Sequence, residues 1–154
     1  MTSMNNMEIA DALSDLVQLD VNAAKAYSQA IENIEVISLR QQFAKFRDIH
    51  NQHASSLNKI IKALDVVPPE RSQDFRGFLM ESWAAIRGGS GVEGALKAMR
   101  TNAEYVDRKY REASALPLTP SIHAMVEHNY RNVHAQLEFI EKALINRIWE
   151  QRVA

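Results

Sequence analysis

The sequence predicts an all-α protein, a bundle of four long helices. Apolar residues recur at alternating steps of three and four along four long segments, which is the spacing of one helical face. No segment shows the period-two alternation of a β-strand, and the four prolines lie between these segments or at the start of one. Four amphipathic helices of this length bury their stripes most simply against one another in a bundle.

The composition limits the classes of function. The chain has 154 residues, 46% hydrophobic and 24% charged, which predicts a single soluble domain over 1–154 with a bundle core at about 7–146. Eighteen basic and nineteen acidic residues give a net charge of -1 without a Lys/Arg cluster, so we expect neither a nucleic-acid nor a membrane partner. The absence of cysteine excludes disulfides and thiolate sites. With no signal-peptide pattern or apolar membrane span, the expected location is the cytoplasm.

The first helix, predicted from Met7 to Ile34, carries an acidic residue on its apolar stripe. Position 20 belongs to the stripe and is Asp20, although Asp is seldom fully buried unless it is paired or bound. The alternative is a helix rotated enough for Asp20 to reach an edge. The other members of the stripe are Ile9, Leu13, Leu16, Ala23, Tyr27, Ala30 and Ile34.

The second helix carries two histidines at stripe positions. We expect it to open with a capping box at Ser38 and Gln41 and to end near Leu64. Steps of four and three lead through positions 50 and 53, so His50 and His53 face the predicted core, where each ring nitrogen needs a partner. The apolar members of the stripe are Leu39, Phe43, Phe46, Leu57, Ile60 and Leu64.

These polar residues are predicted to meet at the middle of the bundle. The short connection around position 36 makes the first two helices antiparallel neighbours, so residues equidistant from it share a layer. Asp20 lies 16 residues before position 36, and Gln52, between the two histidines, lies 16 after it. Asp20, His50 and His53 are therefore the first candidate metal ligands.

A crossover over 65–89 is predicted between the two halves of the chain. Pro68 and Pro69 end the second helix, and Gly88-Gly89 ends a short helix long enough, with its flanking coil, to travel the length of the bundle. We interpret the apolar face of this short helix as packing rather than a binding site. Its members are Phe75, Phe78, Leu79, Trp83 and Ile86.

The third and fourth helices form a second hairpin with weaker polar candidates. Ser90 and Glu93 predict a capping box for a helix ending near Ala113, and Thr119-Pro120 predicts the start of the last helix. Glu104 lies beside the third stripe, and its spacing to Arg108 suggests a surface pair. Along one edge of the fourth helix run Glu127, Tyr130 and His134. The fourth stripe is interpreted as Ile122, Val126, Val133, Leu137, Ile140 and Leu144.

Two antiparallel hairpins joined by a lengthwise crossover are the ferritin-like arrangement of four helices. The segments LVQLDVNAAKAYSQAIENI, FAKFRDIHNQHASSLNKII, RGFLMESWAAIRGG and YVDRKYREASALPL resemble a bacterial family of ferritin-like proteins known as a domain of unknown function, DUF2383. Its landmarks are the spacing from Asp20 to Tyr27, Trp83 before the double glycine, and Tyr110 ahead of the leucine-proline loop. The resemblance covers about Ile9 to Leu144 and implies the fold without an agreed activity.

The di-iron pattern of ferritin-like enzymes is incomplete here. That pattern needs a Glu on each of two helices and Glu-x-x-His on the other two. The second helix offers His50-x-x-His53 instead, and Glu127 is followed three residues later by Tyr130. We therefore expect no di-iron oxidase, and Glu104, Glu127 and His134 are only secondary metal candidates.

Two functions of different classes remain open. The interpretation we favour from sequence is a non-catalytic binding or structural bundle whose polar layer is hydrogen-bonded and fixes helix register. The alternative is a metalloprotein holding a divalent ion such as Fe or Zn on Asp20, His50 and His53. We also predict a homodimer through an overhang of the last helix, where Ile145, Ile148, Trp149 and Val153 continue an apolar edge.

Overall fold

The computed structural model describes residues 3–68 and 91–150. Within these ranges the chain is an all-α four-helix bundle, as predicted, and the described part contains no strand. None of the described helices combines the length and apolarity needed to cross a lipid bilayer. The predicted short helix of the crossover and the Ser90 cap lie outside the described residues. The helices are α1 (Asn6–Glu32), α2 (Ile37–Ala63), α3 (Gly91–Ser114) and α4 (Pro120–Ile145), followed by a 3-10 turn at Ile148–Glu150.

The helix starts follow local capping chemistry, and one predicted cap was wrong. The Asn5 side chain accepts from the backbone N–H of Glu8, whose carboxylate accepts from the N–H of Asn5, so a capping box opens α1. Extended Val36 occupies the N-cap position of α2 without a side-chain cap, so Ser38 lies inside the helix rather than at its start. Thr119 occupies the N-cap position of α4 with Pro120 after it, as predicted, but the Thr119 side chain makes no capping hydrogen bond.

The last helix is shorter than the sequence suggested. It ends at Ile145, and Arg147 adopts the left-handed conformation at φ 46°, which interrupts the helix before the 3-10 turn. Ile148 and Trp149 then pack against the hydrophobic core of the same chain, while Ile145 remains 78% exposed. Part of the predicted overhang is therefore covered by its own bundle.

Two hydrophobic clusters define the helix directions. One contains Ala30, Phe43, Leu96 and Ile140, which come from the C-terminal halves of α1 and α4 and the N-terminal halves of α2 and α3. The other contains the opposite halves, including Leu13, Leu57 and Val126. Hence α1 is antiparallel to both α2 and α3, while α2 and α3 are parallel. A polar layer around the buried residues Asp20, His50 and His53 lies between the two clusters.

Candidate metal centre

Asp20 is the centre of the polar layer. Its side chain is fully buried, and its Oδ1 lies 2.7 Å from Nδ1 of His50 and 3.1 Å from Nδ1 of His53. The Tyr110 hydroxyl donates a hydrogen bond to the other carboxylate oxygen, Oδ2. The predicted meeting of Asp20, His50 and His53 at mid-bundle is confirmed, and Tyr110 of α3 joins them.

The helix geometry brings these side chains together. His50 and His53 are three residues apart on α2, so both rings project from the same face, and they are 1% and 4% exposed. Asp20 sits on the buried stripe of α1, which pairs with α2 along its length. Three ligand atoms from two helices therefore converge without any contribution from a loop, which favours a rigid site.

The outer ring nitrogens of both histidines are held by amides of α4. His50 Nε2 lies 2.9 Å from Oε1 of Gln136, and His53 Nε2 lies 3.1 Å from Nδ2 of Asn132. The Tyr27 hydroxyl donates to the same Gln136 oxygen at 2.9 Å. Each imidazole is thus fixed on both sides, by the Asp20 carboxylate and by an amide.

The partner of His50 determines where its hydrogen lies. An amide oxygen only accepts, so His50 Nε2 must carry a hydrogen to bond with Gln136 Oε1. A neutral imidazole has a single N–H, and its Nδ1 would then present a lone pair to a carboxylate oxygen 2.7 Å away. This contact is favourable only with a cation at Nδ1, either a second proton or a metal ion.

His53 has the opposite arrangement. The Asn132 amide nitrogen donates to His53 Nε2, which leaves the single hydrogen of a neutral ring on Nδ1 for Asp20. His53 thus satisfies Asp20 without any extra cation. To ligate a metal through Nδ1, His53 would move its hydrogen to Nε2, and the half-buried Asn132 amide would turn its oxygen toward that nitrogen.

The orientation of the Gln136 amide is linked to what His50 Nδ1 carries, either a cation or the hydrogen of an ordinary hydrogen bond. Nε2 of Gln136 is buried and has no hydrogen-bond partner in the orientation described above. The reversed amide would point Nε2 at Tyr27 and His50, and neutral His50 would then donate its Nδ1–H to Asp20. One orientation matches a cation at Nδ1, and the other matches an ordinary hydrogen bond.

Burial and hydrogen bonding shift the acidities in this layer. Burial favours protonation of Asp20, but hydrogen bonds from His50 and His53, with their charge, outweigh it, so the pKa of Asp20 lies below its usual range. Burial, followed by the charge and hydrogen bond of Asp20, raises the pKa of Tyr110 well above its usual value. Burial likewise raises the pKa of Tyr27. Asp20 is therefore the anion of the layer, and both tyrosines are neutral phenols.

The three side chains fit a transition-metal site. One ligand atom from each of Asp20, His50 and His53 lies within 4.8 Å of the others, so these atoms could hold one ion if the 2.7 Å contact between Asp20 and His50 opened to admit it. Two imidazoles and a carboxylate form a donor set that suits Zn(II) or Fe(II). Gln136 Oε1 supplies the outer acceptor that a ligating histidine usually has.

The secondary candidates lie elsewhere. Glu104 is exposed and lies 3.8 Å from Arg100, rather than pairing with Arg108 as predicted. Glu127 is also exposed. His134 Nδ1 lies 2.8 Å from Oδ1 of Asp107. The structure does not bring Glu104, Glu127 or His134 into the group formed by Asp20 and the two histidines.

Sequence patterns alone missed several members of the polar layer. The first apolar stripe includes Tyr27 as a core residue, Tyr110 enters as a landmark of the family resemblance, and the predicted fourth stripe does not include Gln136. A detectable pattern existed for α4. Its buried face follows steps of three and four through two amides, in the same way that the α2 stripe passes through two histidines. The buried positions are Ile122, Val126, Asn129, Val133, Gln136, Ile140 and Ala143.

Comparison with known proteins identifies a family without an assigned activity. The family described as a domain of unknown function (DUF2383) matches residues 8–116. This range contains Asp20, His50, His53 and Tyr110 and ends before the amides of α4. No curated protein shows a significant match to the chain, and no solved structure does.

Proposed function

The chain belongs to the DUF2383 family, and we propose that it is a metal-binding helical bundle in which Asp20, His50 and His53 hold one transition-metal ion. The observation that carries this proposal is the convergence of two imidazole Nδ1 atoms on one buried carboxylate. The ring orientation of His50 adds support, because its Nε2 faces an acceptor and its Nδ1 faces an anion. A ligating histidine usually donates a hydrogen bond from its outer nitrogen in this way.

The charges within the layer are compatible with a divalent ion. Asp20 contributes one negative charge at neutral pH, since its pKa is lowered, and neutral imidazoles contribute none. A bound divalent ion would leave a net charge of about +1 inside the bundle. The carboxylate and the amides that surround the rings would stabilise this charge through short electrostatic contacts.

A second candidate function is a hydrogen-bonded structural layer that fixes helix register in a non-catalytic binding or scaffold protein. The observation that favours it is that all four imidazole nitrogens have partners and that Asp20, with the Gln136 amide reversed, accepts from His50, His53 and Tyr110. Buried polar groups with complete partners can specify one alignment of helices over others. In this case metal would add nothing to stability.

Urea unfolding with and without metal separates the two candidates. Protein purified without a histidine tag should gain about 2.7 kcal/mol of stability when free Zn(II) is a hundredfold above its dissociation constant. The gain should disappear in His50→Ala and in His53→Ala and persist in His128→Ala, which removes an exposed histidine. It should also decrease as the pH falls through the histidine range, since protons compete for the ligand nitrogens.

Anaerobic Fe(II) is the second probe in the same assay. A gain with Fe(II) or with Zn(II) that depends on both histidines supports the metal-binding proposal. A urea midpoint that neither ion changes, at concentrations that saturate a model two-histidine peptide, contradicts it and favours the structural layer.

A further inference from the structure

Tyr110 places a hydroxyl oxygen against the carboxylate of the proposed ligand Asp20. Its side chain is fully buried on α3, and its hydroxyl is hydrogen-bonded to Oδ2 of Asp20, while Oδ1 of the same carboxylate faces both histidines. The Tyr110 ring also packs edge-to-face on His53, with ring centroids 5.9 Å apart. An ion held by Asp20 and the two histidines would therefore be bound to the same carboxylate that accepts from the Tyr110 hydroxyl.

We propose that Tyr110 becomes the fourth ligand, as a phenolate, when the site holds ferric iron. This inference rests on the metal-binding function proposed above and extends it by naming a ligand and an oxidation state. In the iron-bound form the O–H bond of Tyr110 breaks, an Fe–O bond forms and the proton leaves to solvent. Iron enters already oxidised, so no electron is transferred.

The charge of the buried layer supports this assignment. When Zn(II) is bound, Asp20 is the only negatively charged ligand, so the net charge of the site is +1. Fe(III) bound by Asp20 and a Tyr110 phenolate leaves the same +1, whereas Fe(III) beside a neutral phenol would leave +2. Uncompensated buried charge is costly, so loss of the Tyr110 proton allows the same cavity to accept an ion of higher charge.

The surroundings of Tyr110 suit a phenolate ligand. Asn129 of α4, itself 3% exposed, directs its Nδ2 toward the Tyr110 oxygen at 3.5 Å. This amide hydrogen remains available after the phenol has lost its own hydrogen, and it would then donate to a negatively charged oxygen. Carboxylate and phenolate oxygens are hard donors, which match the small, highly charged ferric ion.

Tyr27 is not in an equivalent position, although it is similarly buried. Its hydroxyl donates to Gln136 Oε1, so the Gln136 amide and the His50 ring lie between Tyr27 and Asp20. Tyr130 is half-buried on α4 with its ring 5.8 Å from that of His134, outside the Asp20 group. Tyr110 is thus the tyrosine of the polar layer that touches the carboxylate directly.

Visible absorption after addition of ferric nitrilotriacetate tests the assignment, because phenolate bound to Fe(III) gives a ligand-to-metal charge-transfer band. The parent and the matched control Tyr130→Phe should both develop the band. Tyr110→Phe should lose it completely while still binding Zn(II). Resonance Raman spectra of the parent, excited within the band, should show tyrosine ring vibrations, and this measurement requires no variant to fold.

The outcomes distinguish the two proposals. Binding of Zn(II) that depends on His50 and His53, together with ferric binding that produces no such band, overturns the role of Tyr110 and leaves the metal-binding function intact. A band that persists in Tyr110→Phe also overturns it. If neither Zn(II) nor iron binds to the parent, the metal-binding function and the ligand assignment both fail.

Discussion

His50 Nε2 lies 2.9 Å from Oε1 of Gln136, so a residue of the fourth helix holds the outer nitrogen of a histidine whose other nitrogen faces Asp20. A histidine fixed in this way can ligate a cation or carry a second proton. The Asp20 carboxylate contacts Nδ1 of the His50 ring, and the Gln136 amide contacts Nε2 on the opposite side. The stability and metal affinity of the candidate site should therefore depend on residues of α4 as well as on Asp20, His50 and His53.

Replacement of Gln136 by Leu should weaken the layer from its outer side. His50 Nε2 and the Tyr27 hydroxyl would lose their common acceptor inside the core, at a cost of about 1 to 3 kcal/mol in the free energy of unfolding. Zn(II) affinity should fall by roughly 10- to 100-fold, as for other outer partners of ligating histidines. Urea unfolding and calorimetric titration measure the two effects. Gln52→Leu, at an exposed position of α2, is the control, and equal losses in both variants would contradict this role for Gln136.

Replacement of Asp20 by Ala should destabilise the fold even without metal. Removal of the carboxylate leaves His50, His53 and Tyr110 without their common acceptor, which should cost about 1 to 3 kcal/mol beyond any effect on helix propensity. Asp48→Ala removes an exposed carboxylate paired with neighbouring Arg47 and should cost less than about 0.5 kcal/mol. Urea unfolding of metal-free protein compares them. Equal midpoints for the parent and Asp20→Ala would refute the structural importance of the layer.

The second hairpin contains an acid–histidine pair that should respond to pH. Asp107 is 5% exposed, and its hydrogen bond with His134, followed by charge from Asp107 and Glu138, raises the pKa of His134 despite partial desolvation. A folded-state pKa above the unfolded value of 6.5 means that the contribution is complete below pH 6.5 and decreases as pH rises through the folded value. Arg111, 3.8 Å from Asp107, competes for the same carboxylate and remains charged throughout.

The difference in stability between the parent and His134→Ala should therefore be larger at about pH 5.5 than at about pH 9. Urea midpoints at the two pH values measure this difference. His128→Ala, which changes an exposed histidine of the same helix, should show a much smaller pH dependence. The same difference at both pH values for His134→Ala would show that its contact with Asp107 contributes no charge-dependent stability.

We propose that a second copy of the chain covers the end of the bundle where α1 meets α2. Ile37 and Ile145, which are 70% and 78% exposed, belong to the helix ends at this side, whereas 85% exposed Val67 follows α2 at the opposite end. Ile145→Glu should convert a dimer into a monomer in sedimentation experiments while leaving Ile148 and Trp149 packed. Val67→Glu should leave the dimer unchanged. A monomeric parent would end this proposal.

The polar residues of the first hairpin could be placed from the sequence, because they interrupt apolar stripes that are otherwise regular. Asp20, His50 and His53 each occupy a position that the helical period assigns to the core, and a short connection aligns the two helices. The positions of these residues in the fold therefore followed from spacing alone.

The amides and tyrosines were harder to predict. A tyrosine on an apolar stripe is compatible with ordinary core packing, and only the three-dimensional contact shows that the Tyr110 hydroxyl meets Asp20. On α4, two overlapping stripes fit the sequence, one through Leu137 and one through Gln136, and packing selected the second as the fully buried face. Likewise, only the structure shows that Asp107, which lies 3.8 Å from Arg111, is buried and hydrogen-bonded to His134.

An anomalous difference map of crystals grown with Zn(II) tests the metal site most directly. The map should contain one peak between Nδ1 of His50, Nδ1 of His53 and the Asp20 carboxylate, with ligand distances of about 2.0 to 2.2 Å. In the same crystals, the Gln136 oxygen should face His50 Nε2, because a ligating ring must donate from its outer nitrogen. A map without a peak at this position, with His50 Nδ1 still in hydrogen-bond contact with Asp20, would contradict metal binding and identify the layer as a structural hydrogen-bond network.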